Sequence, residues 1–170
     1  MADVKGPDTA EHFERLVQTY QSPLRRLCCV MLKDVHLADD AVQETFIKAY
    51  RALNDFRRES SEKTWLTRIA VNTCRDMMRS RWFVHIDRSA DIANLPEEST
   101  GEITDDESEL AETVLRLPLK QREAVLLYYY QNLTMQETAE ALHITVSNVS
   151  RRLESARKAL RKQLEGGEQT

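Results

Sequence analysis

The sequence predicts an all-α protein made of two small helical domains joined by a flexible acidic linker, with a helix-turn-helix in the second domain. Punctuation is the first reason. Four glycines and four prolines in 170 residues leave few places for tight turns, so long helices are easier to build than many short strands. Periodicity is the second: apolar residues recur at three-and-four spacing from Phe13 to Met77 and again from Leu110 to Leu164. The third is the segment between them, IDRSADIANLPEESTGEITDDESE at residues 86–109, which holds a proline, a glycine, many acids and no sustained period. Such a composition buries too little apolar area to offset the entropy of ordering. The domains are therefore placed at 1–85 and 110–170, with the linker at 86–109.

Composition excludes several classes. No apolar run approaches the roughly 18 residues that span a bilayer. The N-terminal MADVKGPDTAEHFERL has no basic segment followed by an apolar one, so it does not read as a secretory signal, and a cytoplasmic location is expected. Cys28, Cys29 and Cys74 are odd in number and two are adjacent, which fits neither a disulfide framework nor zinc spacing; they read as small buried hydrophobes. His12, His36, His85 and His143 are scattered, with no nucleophile-base motif and no glycine-rich phosphate loop. No enzymatic activity, cofactor, metal or small-molecule substrate is expected.

The net charge of −4 conceals an uneven distribution. Residues 1–80 carry 13 basic and 12 acidic side chains, residues 81–111 carry 2 and 9, and residues 112–170 carry 9 and 7. The acidity lies in the middle. Within residues 145–162, Arg151, Arg152, Arg157, Lys158, Arg161 and Lys162 face a single acid, Glu154. A local basic face matters more to phosphate binding than the total does.

A first helix is read from Leu16, Val17, Tyr20, Leu24, Leu27, Cys28 and Met31, with Asp8 and Glu11 as a capping box and Pro23 as a bend or interruption. A second runs from about Val35 to Leu53, with Ala38, Ala41, Val42, Thr45, Phe46 and Ala49 inward. A third runs from about Ser61 to Ser80; Trp65, Leu66, Ile69, Ala70, Thr73 and Met77 form its apolar face. Arg68, Asn72, Arg75 and Arg79 lie nearly opposite as a polar stripe, free to bind.

Beyond the linker, helical periodicity begins at Leu110, breaks at Pro118 and resumes from Arg122 to Tyr130. Thr134-Met135-Gln136-Glu137 is a capping box that opens a short helix through Leu142. After His143-Ile144-Thr145 another helix follows, with Val149, Leu153, Ala156, Leu160 and Leu164 inward. Two helices joined by about three residues form a helix-turn-helix, whose second helix enters the major groove. Its outward residues, Ser147, Asn148, Ser150, Arg151, Arg152 and Ser155, mix short hydrogen-bonding groups with forked guanidiniums, which suits base reading flanked by phosphate clamping.

The run LPLKQREAVLLYYYQNLTMQETAEALHITVSNVSRRLESARKALRK, Leu117 to Lys162, resembles the C-terminal domain of extracytoplasmic-function (ECF) sigma factors. DDAVQETFIKAYRALNDFRRESSEKTWLTRIAVNTCRD, Asp39 to Asp76, resembles their N-terminal domain. The resemblance implies a bacterial alternative sigma factor that binds core RNA polymerase, recognises promoter DNA and promotes strand opening. It implies that Asp40, Gln43, Glu44, Phe46 and Lys48 contact a coiled coil of the polymerase's largest subunit, although by spacing alone Phe46 reads as core. It further implies that Phe56, Arg57, Arg58, Glu59, Ser60, Ser61 and Glu62, with Asn72, capture a flipped base of the melted minus-ten strand. Arg68, Arg75 and Arg79 would then hold phosphates, while Trp65 reads as a core anchor. The resemblance also implies an anti-sigma factor as partner.

The chain departs from the family pattern at Asn132 and His143, where glycines are frequent; Asn tolerates a left-handed backbone, so Asn132 is a mild departure, whereas His143 is less easily explained. Asn148 and Ser150 also differ from many relatives, which leaves the upstream promoter sequence open. The alternative is a stand-alone helix-turn-helix regulator. It accounts for residues 110–162 but gives the Asp40 and Asn72 helices no task.

Overall fold

The computed structural model describes residues 7–80 and 105–167, and every regular element among them is helical. The predicted linker falls outside the described residues up to 104. Its last five residues, 105–109, begin a helix instead, α4, which starts at Asp105. No described helix is long and apolar enough to cross a membrane.

Helix α1 (Pro7–Leu32) opens with proline as its first residue, where the missing N–H costs nothing. The expected Asp8–Glu11 capping box is therefore not the start of the helix; Asp8 sits inside the first turn. Pro23 does not interrupt α1 either. An internal proline costs about 3 kcal/mol, and here packing on both sides outweighs it, through Leu16 before it and Leu24, Leu27 and Met31 after it, all buried. The chain leaves α1 through Lys33 at φ 55°, whose N–H bonds the carbonyl of Cys29 at 2.8 Å.

Helix α2 (Val35–Ala52) is capped by Asp34, which accepts from the Leu37 amide at 2.9 Å. It buries the predicted inner face, Ala38, Ala41, Val42, Thr45, Phe46 and Ala49. A short 3₁₀ turn, Leu53–Asp55, leads into a loop, and Ser61 caps α3 (Glu62–Arg79) through the Thr64 amide at 3.0 Å. These three helices pack on one another.

In the C-terminal unit, α4 (Asp105–Arg116) is followed by Pro118 and α5 (Leu119–Val125), which continues as a π-turn over Leu126–Tyr130. Both halves of the Thr134–Glu137 capping box form at the start of α6 (Met135–Leu142). His143 closes α6 in the left-handed region, φ 54° and ψ 44°, and Asn132 adopts φ 53° in the preceding turn. Helix α7 (Val146–Gly167) buries Val149, Leu153 and Ala156; Leu164, predicted inward, is 39 % exposed. It lies beyond the reach of α5 and α6, so periodicity continues where the core does not.

The two helical units, expected from the sequence, also pack on each other. Their buried residues form one continuous apolar cluster, with α3 against α6 and α1 against α5. Side chains from the second unit hold main-chain groups of the first: Arg122 donates to the Met31 carbonyl at 3.2 Å and Gln131 to the Pro23 carbonyl at 3.0 Å.

Cys28, Cys29 and Cys74 are free thiols buried between α1 and α3. Burial pushes the Cys29 thiol up to about 11 from 9.0. A hydrogen bond with Cys28, together with burial, holds Cys74 well above its ordinary range. A raised value means that the fold favours the protonated thiol: this contribution is complete below about pH 9 and is lost as pH rises towards 11, because the unfolded chain ionises first. Stability to denaturant should accordingly fall across that window, and a thiol reagent at pH 8 should react only as fast as the protein opens. Rapid labelling of native protein would contradict the burial.

Candidate nucleic-acid interface

The loop between the 3₁₀ turn and α3 is built on an aromatic stack. The Phe56 ring lies on Trp65 with centroids 4.5 Å apart and planes 24° from parallel. Trp65 is buried, as its core reading required, and Phe56 is half-buried. Arg57, Arg58 and Glu59 project from the loop, with Arg58 at φ 57°.

Two crevices flank this loop. One, of about 350 Å³, is lined by Asp55, Phe56, Arg57, Glu59, Ser60, Trp65 and Arg68, with Glu140 of α6 at its edge. The other, of about 790 Å³, lies towards α1 and takes in Arg58, Ser61 and Glu62 together with His12, Arg15 and Tyr20. Glu62 is fixed there by His12 Nε2 at 2.6 Å. Burial and the Glu62 charge raise the Tyr20 phenol. Sequence reasoning missed the α1 wall, because residues so far apart along the chain give no local signal.

The predicted loop residues are thus brought together, but they divide between two faces. Asn72 lines neither crevice. It is half-buried on α3, one turn beyond Arg68, so a strand entering the smaller crevice would reach it by running along the helix.

The arginine stripe of α3 is only partly free. Arg79 is exposed beside Asp76 at 3.5 Å, and Arg68 is half-buried in the crevice wall. Arg75 is engaged: its Nε and Nη2 donate to the two carboxylate oxygens of Glu123, each at 2.8 Å. Glu123 is 1 % exposed, and this bond strengthens the hold of Arg75 on its proton.

On α7, the Thr145 hydroxyl accepts from the Asn148 amide at 3.2 Å and so closes the turn of the helix-turn-helix. Ser147, Ser150 and Arg151 are exposed, while Asn148 and Ser155 are half-buried. Arg152 points inward instead, 3.8 Å from Glu123. Arg157 is drawn to Tyr129, bonding its hydroxyl at 2.9 Å.

On α2, Asp40, Gln43 and Glu44 are exposed. Phe46 is 8 % exposed and packs edge-on against Phe13, so its surface belongs to the core. Lys48 turns towards α3, donating to Thr73 at 3.2 Å. The exposed apolar groups are Ile47 and Tyr50, which line a groove of about 780 Å³ between α1 and α2 with Phe13, Val17 and Val42. Their signal was available: each is apolar and falls outside the inward set of α2.

Residues 16–84 match the model of Sigma-70 region 2, and residues 107–160 match that of Sigma-70, region 4. The ECF RNA polymerase sigma factor SigW of Bacillus subtilis is 33 % identical, covering 94 % of this chain and 91 % of its own. The RNA polymerase sigma-H factor of Pseudomonas aeruginosa is 32 % identical, covering 90 % and 86 %. Among solved structures, CnrH in complex with the cytosolic domain of CnrY has a TM-score of 0.71 at 26 % identity, over 92 % of this chain and 90 % of that one. RpoE of Bartonella quintana, in complex with the anti-sigma factor NepR, shares the fold with a TM-score of 0.78 at 22 % identity, over 91 % and 98 %.

Proposed function

The chain belongs to the ECF-type sigma factors of bacterial RNA polymerase, and from that premise we propose how its surfaces divide the work of promoter recognition. It binds core polymerase, recognises promoter DNA and promotes strand opening for initiation. The exposed face of α2, with Asp40, Gln43 and Glu44, docks on the largest subunit; Ile47 and Tyr50 supply the apolar contact first assigned to Phe46. Lys48 steadies α2 against α3 at the border of that face.

The smaller crevice takes a base extruded from the non-template strand of the minus-ten element. The observation that supports this most is its construction: an aromatic stack of Phe56 on Trp65 beside Arg57 and Arg68. An unstacked base has a π-face for the first and a phosphate for the second. Arg58, Ser61 and Glu62 shape the opposite side of the loop, and Arg75, Arg79 and Asn72 continue the path along α3. Ser147, Asn148, Ser150 and Arg151 read the upstream element in duplex form, with Ser155 further along the same helix. Arg152 acts through Glu123 to hold α7 in place. We divide the work between an N-terminal unit within residues 1–85 and a helix-turn-helix unit whose first helix, α4, begins at Asp105, five residues before the boundary expected at 110.

Two solved structures of the fold hold a second chain, the cytosolic domain of CnrY in one and the anti-sigma factor NepR in the other, and we assign an anti-sigma partner to this chain as well. It acts in the cytoplasm with the polymerase. Run-off transcription with core polymerase on a genomic library tests the reading: discrete products that require this chain are expected, and they map its promoter. Tight sequence-specific duplex binding by the chain alone, without stimulation of core, would favour a stand-alone regulator instead.

A further inference from the structure

The larger of the two crevices is walled by residues of the N-terminal unit, away from the seam between the units. The loop of residues 56–61 is the wall it shares with the smaller one: Phe56 and Ser60 line both, while Arg57 and Glu59 face one side and Arg58 the other. Holding the rear of so thin a wall also sets the shape of its front. Phe56 is stacked on Trp65 where the loop begins, and Ser61 caps α3 where it ends. Just beyond that cap, Glu62, in the first turn of α3, meets His12 of α1, Oε1 to Nε2 at 2.6 Å across 50 residues of sequence. The two side chains are 22 % and 35 % exposed, His12 and Glu62 respectively, so solvent screens this contact less than an ordinary surface pair. His12 itself is fixed. Its neighbour Phe13 packs edge-on against Phe46 and Tyr50 of α2, and Leu16, one turn on, is buried. Between the anchors of the loop, Arg58 sits at φ 57°, a left-handed backbone that a long side chain keeps only where its surroundings impose it.

We infer that His12 is a positioning residue for base capture: through Glu62 it clasps the loop to α1 and holds it in the shape that admits an extruded base on the opposite side. The inference rests on the assignment of the smaller crevice to that base. It changes the part played by Glu62. A carboxylate accepts, so Nε2 donates in this bond, and the Oε1 it engages is turned to α1. An anion there has no attraction for a phosphate, so Glu62 serves the strand by fixing the loop and not by touching DNA. Without the clasp, the start of α3 loses its tie to the fixed wall of α1, Arg58 can leave its left-handed conformation, and the base must organise its own pocket on binding. That ordering cost falls on the affinity for the base. Contacts to the sugar–phosphate path along α3 stay as they were.

The test uses the full chain assembled with core polymerase and a fluorescein-labelled non-template oligonucleotide spanning the minus-ten element of a promoter mapped by run-off transcription. Matched oligonucleotides carry an abasic site at each position in turn, and the position whose base contributes most to binding by the unmodified holoenzyme is the extruded one. His12→Ala should weaken binding of the intact oligonucleotide about fivefold and binding of that abasic one less than about twofold, since a displaced wall costs nothing when there is no base to seat. Glu62→Ala should give the same pattern, and the double variant should bind no more weakly than either single one, as expected of two residues that act as a pair. Equal weakening on the intact and abasic oligonucleotides marks a lost fold or a lost phosphate contact and overturns the inference, as do additive single effects or unchanged binding by His12→Ala. Should His12→Ala lose helical content by circular dichroism, Glu62→Ala decides by the same comparison. The two readings fail separately. An unmodified holoenzyme that binds every abasic oligonucleotide as tightly as the intact one sinks base capture by this loop, and the clasp with it. One that discriminates, with the discrimination untouched in His12→Ala, sinks the clasp alone.

Discussion

Replacing Asn72 by alanine is expected to lower run-off transcription from a fully duplex promoter by about fivefold to 150-fold. That range follows from the roughly 1–3 kcal/mol carried by a well-formed contact to a base edge. The side chain is half-buried on α3, one turn beyond Arg68 in the crevice wall, and the apolar side of the helix is committed to the core. Its amide can bond an extruded base but has no such partner while bases remain stacked and paired. A template with a pre-melted bubble should recover part of the loss, since the unpairing cost of a few kcal/mol is already met. Helical content and affinity for core polymerase should stay unchanged. Full duplex transcription by the variant would remove Asn72 from strand capture.

Features fixed by neighbouring residues were legible in the sequence. The Thr134–Glu137 capping box forms as read, and Asn132 adopts the left-handed backbone that its side chain tolerates. The inward face of α2 needed only the 3.6-residue period, whereas on α3 Ile69 and Met77, expected inward, are half-buried and Thr67, Val71 and Cys74 are buried instead, because α3 packs on more than one neighbour. What the sequence did not show depends on groups far apart along the chain. Pro23 reads as a break because the local cost is visible and the packing that outweighs it is not. Arg75 reads as a free basic group because Glu123 lies 48 residues away. Arg152 was placed outward by the same logic, though it faces a carboxylate one helix over. A stripe on one helix becomes a binding face only if nothing else in the molecule occupies it.

The seam was hidden for a related reason. A charged residue such as Glu123 sits among apolar neighbours in REAVLL and looks like an ordinary surface acid of an amphipathic helix. Its burial requires two arginines from two other helices, and no period encodes that. Leu164 shows the converse: its spacing matches Val149, Leu153 and Ala156, yet the helices that cover those residues end before reaching it.

Leu66→Ala should give the largest loss of stability, about 2–5 kcal/mol, the usual cost of truncating a buried leucine and leaving a cavity. Leu66 is fully buried on α3, between the cap at Ser61 and the stripe at Arg68 and Asn72, where the N-terminal helices meet. Native proteins have only about 5–15 kcal/mol in hand, so the thermal midpoint should drop by many degrees. The variant also isolates the role of Asn72. Both changes are expected to depress transcription, but for Leu66→Ala the loss should track the unfolded fraction, grow with temperature and persist on the bubble template. Asn72→Ala should be indifferent to temperature within the native range and recover on the bubble. Denaturant titration of each variant, beside run-off yields on matched duplex and bubble templates, makes the comparison. If the bubble rescued Leu66→Ala as well, the rescue would not be specific to strand capture, and the case for Asn72 as a base-binding residue would fall with it.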